Sequence, residues 1–266
     1  MVCLMGSLIP LVNSRPFSKY QGAGNDFIVL DNRKNIFIFD KAAIRKICHR
    51  RFGIGADGLI WLTDSIKADF GMRIFNADGS EAEMCGNGVR CLAAFLRDSG
   101  ICVKEKFLLE TMQRKLTVTF QGAMIEVEMG APTNIERHED LIILNTGVPH
   151  AVIFSEKIEN IDIKCLGPQI RYDTRFTPKG VNVNFVEKIG PGALAIRTYE
   201  RGVEEETLAC GTGCTAAALA AHLVLTMPSP ITVETASKEL ITISFNPELQ
   251  DVKMAGTATF VFKGTL

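Results

Sequence analysis

Cys85-Gly86-Asn87-Gly88, followed by Val89-Arg90-Cys91-Leu92-Ala93-Ala94-Phe95-Leu96, has an echo 125 residues later. There the chain reads Cys210-Gly211-Thr212-Gly213, followed by Cys214-Thr215-Ala216-Ala217-Ala218-Leu219-Ala220-Ala221-His222-Leu223. In both copies glycines that let the backbone turn tightly lead into good helix formers, which predicts a cysteine at each helix N-terminus. Free N–H groups and the positive end of the helix dipole favour thiolate over thiol, so each is expected to titrate well below the usual ~8.5. The same N–H groups can hold a carboxylate. Two such sites face to face would offer a pair of sulfur acid/bases to one small anionic molecule.

The rest of the composition suits a globular enzyme. The chain has 266 residues, more than a typical single domain, and the internal echo favours two similar halves. Hydrophobic residues make up 47% and charged residues 22%, enough for a large core. A net charge of −1 gives no electrostatic footprint for nucleic acid or an anionic membrane surface. No apolar stretch approaches the ~20 residues needed to cross a bilayer. The leading segment 1–14 lacks a basic n-region and is expected to be an extension and not a signal peptide. Eight cysteines in so long and apolar a chain do not suggest a secreted disulfide scaffold, so most are expected to be reduced thiols in the cytoplasm. Cys48, Cys91, Cys102 and Cys165 have apolar neighbours and are expected to be small buried hydrophobes. No Cys-x-x-Cys pair exists and the four histidines are scattered, so no metal site is expected.

Periodicity predicts many short strands around the two cysteine helices. A strand over Phe17–Tyr20, a glycine-rich turn over Gln21–Asp26 and a strand over Phe27–Leu30 open the chain. The turn lacks dinucleotide spacing and precedes a strand, so no nucleotide cofactor is expected; Asn25 either stabilises its own turn or offers its amide to a ligand. Asp40 to Phe52 has helical spacing with Asp40 as N-cap. Further strands are predicted at Leu59–Leu62, Phe70–Phe75, Phe107–Thr111, Lys115–Phe120, Met124–Met129, Leu141–Leu144, Ala151–Phe154, Val181–Val186 and Ala193–Tyr199. Three more follow at Ile231–Glu234, Leu240–Phe245 and Ala258–Phe262. Pro168 to Lys179 reads as polar and turn-rich. The run after Cys85 is apolar nearly all round, as in an enclosed helix.

Asn76-Ala77-Asp78-Gly79-Ser80 through Cys85-Gly86-Asn87-Gly88-Val89-Arg90-Cys91 resembles one signature segment of the diaminopimelate epimerases. Glu200-Arg201-Gly202 through Ala209-Cys210-Gly211-Thr212-Gly213 resembles the other, and the likeness runs from about Phe17 to the C-terminus. It includes Gly24-Asn25-Asp26-Phe27 and Gly53-Ile54-Gly55-Ala56-Asp57-Gly58. The resemblance implies an α/β (α+β) fold of two pseudosymmetric domains, each a strongly curved, mainly antiparallel sheet wrapped around a central apolar helix. The active site would lie in the interdomain cleft. The expected division is 1–14 as extension, 15–130 plus 256–266 as the N-terminal domain, and 131–255 as the C-terminal domain. Family members are commonly homodimers. The implied reaction inverts LL-diaminopimelate to the meso form with no pyridoxal phosphate or other cofactor and no metal.

That chemistry accords with the residues, because inverting a carbon next to a carboxylate requires a base on one face and an acid on the other. By matching positions, Cys85 and Cys210 are the acid/base pair, with His150 tuning Cys85 and Glu200 tuning Cys210. N–H groups of Gly86, Asn87, Gly211 and Thr212 would meet the charge growing on the carboxylate. Asn25, Asn76 and Asn182 match substrate-contacting amides, with Glu200 beside them. Arg201 matches the guanidinium that pairs both oxygens of the distal carboxylate. Read alone, Arg201 fits equally an ion pair with one of Glu204 to Glu206, His150 a loop histidine and Glu200 a solvated carboxylate.

Two departures stand at the distal end: Val148 replaces an asparagine found in many members, and Glu200 to Cys210 is one residue longer than in some. They suggest a looser grip there that admits a shorter dicarboxylic amino acid such as glutamate. A proline or hydroxyproline racemase is an alternative, disfavoured by Asn87 where that family has histidine and by Arg201. A redox-switch binding protein is another, and it leaves Asn76, Asn182 and Arg201 without a purpose.

Overall fold

The computed structural model describes residues 15–82 and 84–266, so the expected extension 1–14 lies outside the described residues. The first half contains β1 (Pro16–Gly22), β2 (Asn25–Asp31), α1 (Lys41–Cys48), β3 (Gly58–Thr63), β4 (Phe70–Asn76) and β5 (Glu81–Ala82). It continues with α2 (Gly86–Asp98), β6 (Lys106–Glu110), β7 (Lys115–Gln121) and β8 (Met124–Glu128). The second contains β9 (Thr133–Arg137), β10 (Ile142–Asn145), β11 (Pro149–Phe154), α3 (Ile163–Arg171), β12 (Asn182–Gly190), β13 (Ala193–Glu200) and β14 (Glu205–Thr207). After these come α4 (Gly211–Leu225), β15 (Ile231–Glu234), β16 (Leu240–Ser244) and β17 (Lys253–Gly256), and β18 (Thr259–Thr265) ends the chain.

One plan is used twice. An antiparallel hairpin (β1–β2, β10–β11) crosses over through an outer helix to a parallel neighbour (β3, β12), which forms a second hairpin with β4 or β13. The cysteine helix then leads to a second parallel step (β4 to β6, β13 to β15), closed by β7–β8 or β16–β17. The halves join where β8 and β17 pair antiparallel. β18 returns to pair with β1, the place beside the opening hairpin that β9 takes in the second half.

Each sheet curls around its cysteine helix because small residues let it approach closely. α2 is buried from Gly86 to Leu96 and α4 from Gly211 to Ala221. Leu92 and Leu96 pack with Ile60, Leu109 and Val118, and Leu219 with Leu144, Val233 and Ile243. Each such side chain contributes about 1.5–3 kcal/mol. The sheets' other faces carry α1, through Ile44 and Cys48 onto Leu30 and Trp61, and α3, through Ile163 onto Val183 and Tyr199.

Four expectations need correction. Asp40 caps α1, accepting from the Ala43 N–H at 2.7 Å, but the helix stops at Cys48 and not at Phe52. His49 turns extended and its ring Nδ1 accepts from the N–H groups of Arg51 and Phe52, which replaces another helical turn. The segment read as turns from Pro168 contains the end of α3, which runs through Pro168 to Arg171. Burial of its apolar face outweighs the hydrogen bond Pro168 cannot donate, and Gly167 seats the helix so closely that a Cβ there would lie 2.5 Å from the Tyr199 ring. β5, β9, β14 and β17 are strands that periodicity missed, since β9 is exposed throughout and the others have four residues or fewer. Cys48, Cys91 and Cys102 are buried as expected, whereas Cys165 lies on the exposed side of α3.

Candidate active site

α2 and α4 meet N-terminus to N-terminus. A Cβ on Gly86 would stand 3.9 Å from the Gly211 Cα, and the buried Met254 of β17 fills the angle between them. That same Cβ would lie 2.7 Å from Met254 Cε, and one on Gly211 2.9 Å from Met254 Sδ, so a side chain at either position would have to displace the Met254 thioether. Over this joint opens a cavity of about 890 Å³. Cys85, Gly86 and Asn87 line it from one side, and Cys210, Gly211 and Thr212 from the other. Strand ends supply the remaining walls: Asn25 opens β2, Asn76 ends β4, Asn182 opens β12 and Glu200 ends β13, with Arg201 next. His150 is the one sequence-predicted site residue outside this lining.

The sulfurs depart from the acidic thiols expected of helix N-termini. Cys85 is the N-cap of α2 and its Sγ accepts from the Gly88 N–H at 3.4 Å while facing Asn25 Oδ1 at 3.7 Å. Burial outweighs these donors and pushes its thiol up to about 11; the Gly88 and Asn87 N–H groups and Arg90 pull it down, and the Glu200 charge adds to the rise. Cys210, N-cap of α4, lies 3.4 Å from Thr212 Oγ1. Burial, then the Glu200 charge, raises it well above the ordinary thiol range. Taking a thiolate out of water costs more here than one helix turn returns.

Glu200 therefore acts on both sulfurs and not on Cys210 alone. Its own acidity is weakened by burial, against a hydrogen bond from Thr207 Oγ1 to Oε2 at 2.9 Å. His150 stands behind the cavity lining. It is fully buried, and its Nδ1 stands 3.0 Å from Asn184 Nδ2, a donor, so the ring proton sits on Nε2. Nε2 is buried without a hydrogen-bond partner among the described residues. Asn184 Oδ1 would lie 2.6 Å from a Cβ on Gly213, so Asn184 packs against the first turn of α4. Burial and the Arg201 charge lower His150 to about 3, keeping it neutral.

The amides divide into two kinds. Asn182 gives Nδ2 to the Pro149 carbonyl at 3.2 Å and accepts from the Arg201 N–H at 2.8 Å, so both ends hold backbone and fix the Glu200–Arg201 corner. Asn25 gives Nδ2 to Asp57 Oδ2 at 2.8 Å and thereby turns Oδ1 toward Cys85 and toward Asn87 Nδ2, 3.4 Å away. Asn76 donates to Ser80 Oγ at 3.0 Å and is exposed at the cavity wall. Of the acids Arg201 could have paired with, Glu204 pairs with Arg171 and Glu206 with Arg197, and Arg201 makes no ion pair among the described residues.

Sequence reasoning passed over the ion-pair network beneath Asn25. Arg50 bridges Asp26 and Asp57, and Lys19 pairs with Asp26 at 2.7 Å. Burial of Asp26 opposes its charge, but the Arg50 and Lys19 hydrogen bonds prevail and hold it at about 2. The signal lay in Gly24-Asn25-Asp26 and Gly53–Gly58, quoted for the resemblance without a role for the charges. No group of three or more His, Cys, Asp or Glu side chains that could hold a metal occurs among the described residues.

The diaminopimelate epimerase family model matches residues 17–135 and 142–261. The chain belongs to the diaminopimelate epimerase family. Diaminopimelate epimerase of Flavobacterium psychrophilum is 43% identical over 255 residues, 93% of this chain and 98% of that protein. Among solved structures, a phenazine biosynthesis protein of the PhzF family from Bacillus anthracis superposes with a TM-score of 0.74 at 14% identity, covering 96% of this chain and 99% of that one. A hydroxyproline epimerase from Agrobacterium vitis gives 0.68 at 14%, covering 96% and 93%. These two share the two-lobed fold, while family membership rests on the closer sequence relatives and makes the chain an isomerase of the epimerase type.

Proposed function

We propose that this epimerase inverts LL-2,6-diaminopimelate to the meso form by a two-base mechanism between Cys85 and Cys210, serving lysine and peptidoglycan precursor synthesis. The observation that carries the reading is the abutment of the two cysteine-capped helices under one cavity. The substrate's α-carboxylate would seat on the N–H groups of Gly86, Asn87, Gly211 and Thr212, where helix dipoles and orphan donors favour an anion. One sulfur, as thiolate, removes the α-proton from one face as the other, as thiol, delivers a proton to the opposite face. Burial raises both thiols, so the thiolate has to be made within the site, and Glu200, whose charge reaches both sulfurs, is assigned as the acceptor for that proton.

Arg201, free of ion pairs among the described residues, would fork onto the distal carboxylate, while Asn76 and Asn25 border the chain between. Asn182 and His150 would act through the walls they brace, His150 on the α4 side. Val148 lines the cavity as well, so a glutamate racemase side activity follows from the loss of a side-chain hydrogen bond at that point. A double cysteine variant equal to the wild type in glutamate racemisation would remove that idea.

We further propose a division of the chain at 15–130 plus 256–266 and 131–255, in keeping with the β1–β18 pairing. Function as a cytoplasmic homodimer is part of the same reading. β18 is paired along one edge only among the described residues and exposes Phe260, Val261 and Phe262, the kind of edge a second copy can cover. The seven described cysteines are free thiols, and no described helix is long and apolar enough to cross a membrane. The deciding experiment is solvent deuterium incorporation at the α-position of LL-diaminopimelate in metal-free, cofactor-free buffer. Label in the product, abolished by Cys85→Ser, is expected; label in proline with none in diaminopimelate would overturn the assignment.

A further inference from the structure

Arg90 lies on α2 one turn past Asn87, fully buried at 0% exposure. Among the described residues it makes no ion pair. Its three partners are neutral: Nη2 donates to Asn87 Oδ1 at 2.9 Å, Nε to the Thr257 carbonyl at 3.2 Å, and Nη1 meets Met254 Sδ at 3.6 Å. Each of these three bears on the joint between the halves. Met254 is the wedge under Gly86 and Gly211, and Thr257 lies on the crossover from β17 to β18. Asn87, with Oδ1 taken by Arg90, must turn Nδ2 to the Ala209 carbonyl at 3.3 Å and to Asn25 Oδ1.

This placement is costly on three counts. The cation is out of water, lacks a carboxylate, and sits near the positive end of a helix. A buried arginine is ordinarily found with an anion, and the groups around it show which anions are available. Cys85 and Cys91 come from α2, Cys214 from α4, and Glu239 from the turn before β16. Glu239 already accepts from Gln21 Nε2 and the Ala23 N–H, both at 3.1 Å, and makes no contact with Arg90. Cys91 and Cys214 are buried among apolar side chains away from the cavity lining. Cys85 is the one thiol of the three that opens on the cavity, where Glu200 is the opposing charge.

We propose that Arg90 is a positioning residue of the epimerase site, a fixed cation beneath the two helix N-termini that holds the Asn87 amide in one orientation and favours the thiolate of Cys85. A neutral side chain of equal length would leave the packing against Met254 and remove this bias, whereas lysine would keep the charge and lose the tie to Asn87.

The inference rests on Cys85 working as a base, and the test separates the two. Iodoacetamide alkylation of Cys85 is followed by peptide mass from pH 7 to 10 in the wild type, Arg90→Met, Arg90→Gln and Arg90→Lys, alongside epimerase kinetics. A shift of one unit in thiol acidity changes the thiolate fraction about tenfold, so Arg90→Met and Arg90→Gln should alkylate at least about tenfold more slowly at pH 9. Their kcat should fall with little change in KM, and Arg90→Lys should alkylate within about threefold of wild type. Equal alkylation in a folded neutral variant overturns the proposal. Should neither neutral variant fold, a folded Arg90→Lys that alkylates tenfold more slowly overturns it too. Turnover retained in Cys85→Ser would instead sink the two-base reading itself, and loss there with unchanged alkylation in Arg90→Met would sink Arg90 alone.

Discussion

Replacing Glu200 by glutamine should move two observables in opposite directions. The carboxylate makes no hydrogen bond to either sulfur, its Oε2 being held by Thr207, yet its charge raises both Cys85 and Cys210. Glutamine removes that repulsion and leaves the Thr207 bond in place, so at fixed pH the thiolate fraction of each cysteine should rise, about tenfold for each unit by which the thiol is relieved. Iodoacetamide labelling of the substrate-free enzyme at pH 8.5 reads this directly. Turnover should fall at the same time, by about a hundredfold or more, because the acceptor for the thiol proton is gone. Faster labelling with slower epimerisation supports both roles of Glu200. Labelling that slows would refute the electrostatic account, and turnover that survives would refute the proton acceptor.

Arg201→Lys should raise KM for diaminopimelate about 10- to 100-fold while kcat changes less, since a bidentate carboxylate grip is replaced by a point charge; steady-state kinetics decides it. His150 gives a stability prediction. Its folded form stays neutral down to about 3, whereas the unfolded chain takes up a proton near 6.5, so the unfolded state binds more protons between those values. Stability should be full above about pH 6.5 and fall by about 1.4 kcal/mol per pH unit below it, ~2 kcal/mol by pH 5, and urea unfolding of wild type against His150→Gln measures the difference. Val261→Asp on β18, which spares the contacts of Phe260 with Tyr20 and of Phe262 with Phe17, should convert a dimer to monomer in light scattering. An unchanged mass would show that this edge is not the interface.

The sequence by itself determined what short-range chemistry can determine. Gly86 and Gly211 after a cysteine, with Ala- and Leu-rich runs behind them, announce two buried N-capped helices, and their repetition announces two lobes. That Asn25, Asn76, Asn182 and Arg201 border one cavity was legible from their motif positions. Tertiary structure decided everything that depends on what surrounds a group. The acidity of Cys85 turned on desolvation against one helix turn, and the first is a property of the closed cavity wall. β17 is four residues long, and only its pairing with β8 reveals that it joins the halves and delivers Met254 to the joint. Asn182 became a brace and His150 a buried neutral ring because backbone groups distant in sequence arrive at their polar atoms. Arg90 looks like one more polar residue on a helix until folding encloses it with no ion pair among the described residues, against Asn87 and the Met254 wedge.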